Sequence, residues 1–164
     1  MNRLVSILFL ALSSCATGGN TSHRVVADYQ KSFADLAQEV TVGQSFEVTL
    51  GDLSRVSHKA EASAEVEILL VILDRKLSFD EAMADLRSKQ MRPINLTELF
   101  ALAAKMSEFP TSGFMVVELG TLWDAPNGQK TVATLSIGDG YRYITAMDAT
   151  RAINERCIIA AVRK

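Results

Sequence analysis

The 164 residues include 17 basic and 19 acidic side chains, with 48% hydrophobic and 22% charged residues. This composition excludes an intrinsically disordered chain, which lacks the apolar surface to fold. It also excludes a general nucleic-acid binder, which needs a clustered basic face to neutralise phosphates. The densest basic stretch, Arg87, Lys89 and Arg92, follows Asp80, Glu81 and Asp85 and reads as a solvated helix face.

The chain opens like a secretion signal. Arg3 supplies the positive start, Leu4–Leu12 is an apolar run, and Ser13-Ser14 are small residues before a cut. Nine helical residues rise only ~14 Å, too short to cross a hydrocarbon core of ~30 Å. Ala16–His23 is small and polar and reads as a tether. The expected organisation is a signal peptide over 1–14, a flexible tether over 15–23, and one globular domain over 24–164.

Along that domain, Arg24–Tyr29 predicts a strand. Ser32–Val40 predicts a helix capped by Ser32, with Phe33, Leu36, Ala37 and Val40 on one face. Ser45–Leu50 alternates as a strand does, and Glu65–Leu73 ends in an apolar run suited to a strand buried on both faces. Ser78 and Glu81 have capping-box spacing and predict a helix from about Phe79 to Gln90, stopped by Arg92-Pro93. Asn95 and Glu98 repeat that signature ahead of a helix over Leu96–Met106, with Leu99, Phe100, Ala103 and Met106 buried. From Gly113 the period shortens. Phe114–Leu119, Thr131–Ile137, Tyr141–Thr145 and Cys157–Val162 predict strands, with a turn at Ala125–Gly128 and a tight hairpin at Gly138–Gly140. The expected fold class is α+β, an antiparallel meander sheet with two consecutive helices packed on it. Cys157–Val162 is expected inside the sheet, because its apolar run without alternation needs cover on both faces.

Leu12-Ser13-Ser14-Cys15 resembles the lipobox of bacterial lipoproteins. That resemblance implies cleavage between Ser14 and Cys15 and lipidation at Cys15 by diacylglyceryl and further acyl chains such as palmitate. It implies a membrane-attached place in the cell envelope. Ala16, where an aspartate would retain a Gram-negative lipoprotein in the inner membrane, points to the outer membrane facing the periplasm. With Cys15 lipidated, Cys157 has no disulfide partner and Cys-rich zinc sites are excluded.

The segment Ser78–Met106, with Val117–Thr121 and the ending Ile159–Lys164, resembles a group of small bacterial proteins that brings no known activity. More distantly, the element order is similar to bacterial C-type-lectin-like domains, with Arg92-Pro93 and Glu98-Leu99 near their inter-helix motif. The calcium motifs Glu-Pro-Asn and Trp-Asn-Asp are absent, so this second resemblance implies a fold, in which Cys157–Val162 would pair with Glu65–Leu73, and not calcium-dependent sugar binding.

No residue set has an enzyme signature, and neither a cofactor nor a metal is expected. His23 and His58 stand without a second ligand nearby. Cys157 reads as an inert core thiol. Glu118 sits in an apolar strand, where alternation can place it on the solvated face or leave it as an acid. The candidate ligand-binding residues are Trp123, Asn127, Tyr141, Arg142 and Tyr143, because aromatic and arginine side chains anchor binding surfaces; the alternative is that they cover the sheet. The expected function is a lipid-anchored, non-enzymatic binding domain for a protein or glycan. The alternatives are an envelope enzyme or enzyme accessory with a dispersed carboxylate site, and a structural envelope lipoprotein without ligand.

Overall fold

The computed structural model describes residues 21–41, 46–51, 56, 62–106, 113–138 and 141–164. The expected signal peptide, the Leu12–Cys15 box with Ser14 and Cys15, His58 and the hairpin residues Asp139-Gly140 lie outside the described residues, as does the side chain of Tyr141. In chain order the elements are β1 (Thr21–Ala27), α1 (Phe33–Thr41), β2 (Phe46–Thr49), β3 (Ala64–Ile72), α2 (Phe79–Ser88), β4 (Met91–Pro93), α3 (Leu96–Lys105), β5 (Met115–Val117), β6 (Trp123–Asp124), β7 (Lys130–Gly138), β8 (Tyr141–Asp148) and β9 (Cys157–Arg163). The fold class is α+β.

The strands form one sheet in the order β1-β3-β9-β5-β7-β8-β2, with β4 also pairing β9 and β6 also pairing β7. The β7–β8 hairpin is antiparallel with Gly138 opposite Tyr141. The sheet is not a pure meander, because β5 runs parallel to β9 and β2 parallel to β8. β9 lies inside the sheet, antiparallel to β3 on one side with Val71 opposite Ile159. Its other side is shared end to end by β5 and β4.

Both faces are covered. On one, Phe33, Leu36 and Val40 of α1 and Leu96, Leu99, Phe100 and Ala103 of α3 pack with Val66, Ile68, Leu70, Val116, Leu135, Ile158 and Ala160. On the other, Ala82 and Leu86 of α2 pack with Leu69, Val71, Val117, Val132, Ile159 and Ala161. Successive strand residues point to opposite faces. A strand covered twice must therefore be apolar at every position, which accounts for the unbroken runs in β3 and β9. The two consecutive helices thus lie on opposite faces of the sheet, α2 on one and α3 on the other.

Boundaries differ from the sequence expectation in several places, β4 and the extension of β8 to Asp148 among them. β1 begins at Thr21, so Thr21–His23 of the expected tether are strand, paired with Leu70–Ile68. Helix α2 ends at Ser88, ahead of Arg92-Pro93, because Gln90 takes a left-handed φ of 56° and turns the chain into β4. Trp123-Asp124 is a strand, where sequence marked only the turn that follows.

Candidate functional site

Two fully buried carboxylates flank the start of α3. Asn95 is its N-cap, accepting from the Glu98 amide, while Glu98 reaches back to the Asn95 amide. Glu98 does more than cap. Its Oε1 accepts from Tyr29 Oη and from Arg92 Nη2, each at 2.6 Å, and its Oε2 accepts from Arg92 Nη1 at 2.8 Å and Asn95 N at 2.9 Å. These four bonds match the acceptor capacity of a carboxylate, so the charge is completely compensated. Burial, then the bond to Glu98, pushes the Tyr29 hydroxyl up to about 12. The Arg92 pKa is raised by its bond to Glu98.

On the other side of the helix start, Glu118 Oε1 accepts from the Thr121 amide. Thr121 Oγ1 in turn accepts from Leu96 N at 2.8 Å, satisfying one of the orphan amides of the first helical turn. Between them, the Gly120 amide donates to the Ile94 carbonyl at 3.0 Å. Any Cβ at position 120 would collide with that carbonyl, so glycine is required by close approach of two backbones. Glu118 Oε2 is buried with no hydrogen-bond partner. Burial pushes this carboxyl up to about 8, against smaller lowering contributions from the Thr121, Gly120 and Ala133 amides. The expectation that alternation could solvate Glu118 fails, since the sheet has no solvated face at this position.

The candidate binding residues do not come together. Trp123 is 5% exposed and belongs to the core, so it is no open aromatic patch. Asn127 is exposed in the β6–β7 turn, its Oδ1 accepting from Gln129 N at 3.1 Å. Tyr141, Arg142 and Tyr143 start β8 at the opposite end of the hairpin. Thr131, the partner of Trp123, faces Asp148. Asp148 is six residues along β8 from Arg142, or about 20 Å. Arg142 Nη1 donates to the Ala103 carbonyl at 3.1 Å, where a cation meets the negative end of α3. Tyr143 is half-buried and, by alternation, on the opposite face from Arg142.

Two openings accompany these groups. A cavity of about 190 Å³ is lined by Leu50, Trp123, Pro126, Met147, Asp124 and Asp148 among others. A cleft of about 490 Å³ lies beside Tyr29 and Arg92, with Val66, Glu67, Val162 and Arg163 in its walls. Glu118 lines neither opening.

His23 has its Nε2 buried without a partner, and its pKa is lowered, by burial first and then by Lys105. The Cys157 thiol is buried, its pKa raised by that burial. Among the described residues no group of three or more His, Cys, Asp or Glu is placed to hold a metal ion. Nor is any helix among them long and apolar enough to cross a membrane.

Sequence reasoning missed Tyr29 and Arg92 as site residues and read Glu98 only as a cap. The Asn95-to-Glu98 spacing was the available signal. That Glu98 would be buried depends on Tyr29, 69 residues away, and no local pattern carries that. No protein-family model, no curated protein and no solved structure matches the chain.

Proposed function

We propose that this is a lipid-anchored envelope protein whose domain binds a partner protein without catalysis, by taking one basic side chain of the partner into the Trp123 cavity. The observation that carries the proposal is the chemistry of that cavity. Leu50, Trp123, Pro126 and Met147 give it apolar walls, and Asp124 and Asp148 give it carboxylates. Pockets for whole small ligands begin at roughly 300 Å³, whereas this one holds about 190 Å³, room for one inserted side chain. A lysine lays its hydrocarbon stem on apolar surface while its ammonium seeks acceptors. Asp148 Oδ2 accepts from Gln129 Nε2 at 2.5 Å and keeps one further acceptor site for an incoming ammonium. Hydrogen bonds from the Thr150 amide at 2.8 Å and hydroxyl at 2.7 Å hold its carboxyl below the usual carboxylate range. Asp124 pairs with Lys130 at 2.9 Å, an exposed bridge that an incoming cation can exchange with.

The enzyme alternative finds less support. Glu98 has no free lone pair, and Glu118 is the shifted acid but lines neither the Trp123 cavity nor the cleft beside Arg92. The lipid anchor rests on the Leu12–Cys15 sequence. The lectin-like relationship rests on the antiparallel pairing of the terminal strand β9 with β3.

Trp123 is the sole tryptophan, so selectively excited tryptophan fluorescence reports on this cavity. Titration with n-butylammonium, a lysine side-chain mimic, is expected to change the emission saturably, with weaker binding in Asp148→Asn. No saturable change, or an equal response to uncharged n-butanol, refutes the proposal and favours a structural lipoprotein.

A further inference from the structure

β1 is the first strand of the sheet and is paired on one side only, antiparallel to β3 through all seven of its residues. In such a ladder every second residue turns its N–H and C=O away from the neighbour. An edge strand therefore carries a row of backbone donors and acceptors that a further strand can complete. Val25 and Ala27 are buried in the core that α3 covers, so alternation puts Arg24 and Val26 on the opposite face. A groove of about 570 Å³ follows this edge, lined by Arg24–Val26 of β1 and by Ala101, Ala104 and Lys105 of α3 among others.

One side chain already occupies the edge. Lys105 Nζ donates to the Arg24 carbonyl, where the amide of a further strand would donate. Lys105 forms no ion pair among the described residues. Arg24, on the face away from α3, has Glu65 at 3.8 Å. His23, whose pKa is lowered by burial and then by Lys105, adds no charge here at neutral pH. Among the described residues lining the groove, Lys105 is thus the charge left without a counter-ion. Ala101 and Ala104 are small and leave room on the α3 side, while Val26, 66% exposed, offers apolar surface on the other. A second copy of β1 would bring another Arg24 and Lys105 to the same edge, like charge against like. The chemistry favours an occupant of opposite charge.

We propose that the β1 edge binds an extended acidic segment of a partner protein as an added strand, with Lys105 moving from the Arg24 carbonyl to a carboxylate of that segment. The released carbonyl accepts an amide of the added strand, and the ammonium exchanges a neutral acceptor for a charged one. Side chains of the added strand alternate, the acid towards α3 and apolar residues towards Val26. β1 stands at the other end of the sheet order from β7 and β8, so this site and the Trp123 cavity are tested separately.

The test titrates the end-blocked peptide Thr-Val-Glu-Val-Thr into the full chain and follows the backbone amides by ¹H–¹⁵N NMR. Thr-Val-Gln-Val-Thr and Thr-Val-Lys-Val-Thr are the controls. Saturable shifts and slowed hydrogen exchange are expected at the β1 amides. The Glu peptide is expected to bind roughly threefold more tightly than the Gln peptide, and the Lys peptide most weakly. Lys105→Gln is expected to remove the preference for Glu over Gln, and Lys105→Arg to keep it. The proposal is overturned if no peptide shifts β1 saturably, if the Lys peptide binds as tightly as the Glu peptide, or if Lys105→Gln keeps the preference. Concentration-dependent protection of β1 without peptide would also overturn it, by making a second copy the occupant.

Discussion

Glu98 and Glu118 show how two buried carboxylates beside one helix start acquire different surroundings. Glu98 is surrounded by donors from three segments, which fill its acceptor sites. Glu118 has one oxygen on the Thr121 amide and the other facing no partner, so burial decides its state and favours the neutral acid. The stability consequence has a definite sign. Near pH 6 the folded chain keeps the Glu118 proton, while the unfolded chain, at the ordinary 4.5, has released it. The contribution is complete below about pH 4.5 and is lost as pH rises through about 8. Chemical denaturation across pH 5 to 9 is expected to show a loss on the order of a few kcal/mol. Glu118→Gln, neutral throughout and still able to accept from Thr121, is expected to remove that slope. A variant whose stability follows the same pH curve as the parent would show that Glu118 is not the titrating group.

The helices are specified by their starts. Ser78 and Glu81 form a reciprocal cap at α2, with Glu81 N to Ser78 Oγ at 3.2 Å and Ser78 N to Glu81 Oε2 at 2.7 Å. Asn95 and Glu98 form the same device at α3. The chemistry is equal, but the surroundings are not. The Ser78 cap faces water, which can replace its bonds, so Ser78→Ala is expected to cost about 1 kcal/mol. Asn95→Ala removes the side-chain acceptor of the Glu98 amide, beside a carboxylate that is 0% exposed, and leaves that amide in a part-buried site. Its loss is expected to exceed that of Ser78→Ala by 1 kcal/mol or more, on the order of a buried unsatisfied donor. Urea unfolding with unchanged m-value measures both. Equal losses would show that the Tyr29–Arg92–Glu98 cluster contributes nothing to the start of α3.

At the scale of the whole molecule, β9 is the strand on which the rest is assembled. It pairs with β3, β4 and β5, and its side chains enter both cores. Ile159 is fully buried among Leu69, Val71 and Val117. Ile159→Asp therefore places a charge with no partner in a dry core and is expected to leave the domain unfolded at room temperature. A cooperative melt close to that of the parent would contradict this topology. The proposed anchor would impose a second constraint. Five residues separate Cys15 from Thr21, a span of at most about 20 Å, so a lipid on Cys15 would hold β1 close to the membrane. The Trp123 cavity adjoins β7 and β8, four or five strands across the sheet, or roughly 20 Å further away. The expected outcome of Cys15→Ser is loss of fatty-acid labelling in a bacterial host and transfer from the detergent to the aqueous phase. An unlabelled parent would sink the lipoprotein proposal.

The sequence by itself determined the elements whose causes are local. Both capping boxes, the helices they start, the β7–β8 hairpin and the burial of β3 and β9 followed from spacing and hydrophobic period, because each is set by residues within one or two turns of chain. It also determined that β9 would lie inside the sheet, since an apolar run without alternation needs cover on both sides; its pairing with β3 was only an implication of the lectin-like resemblance. Which helix covered which face was not readable, as the apolar stripe of a helix does not say what it will meet. Nor was the end of α2, where a left-handed Gln90 acted before Arg92-Pro93 could. The candidate sites were the least legible part. Trp123, Asn127, Tyr141, Arg142 and Tyr143 are close in sequence, yet a nine-residue strand stretches Trp123 and Arg142 to opposite ends of the hairpin. Tyr29, Arg92 and Glu98 are far apart in sequence or hidden in a helix cap, and they meet only because α3 lies across the sheet. Tertiary structure decided these points for one physical reason. Burial and charge pairing depend on the neighbours a side chain acquires in the packed molecule, and those neighbours come from distant parts of the chain.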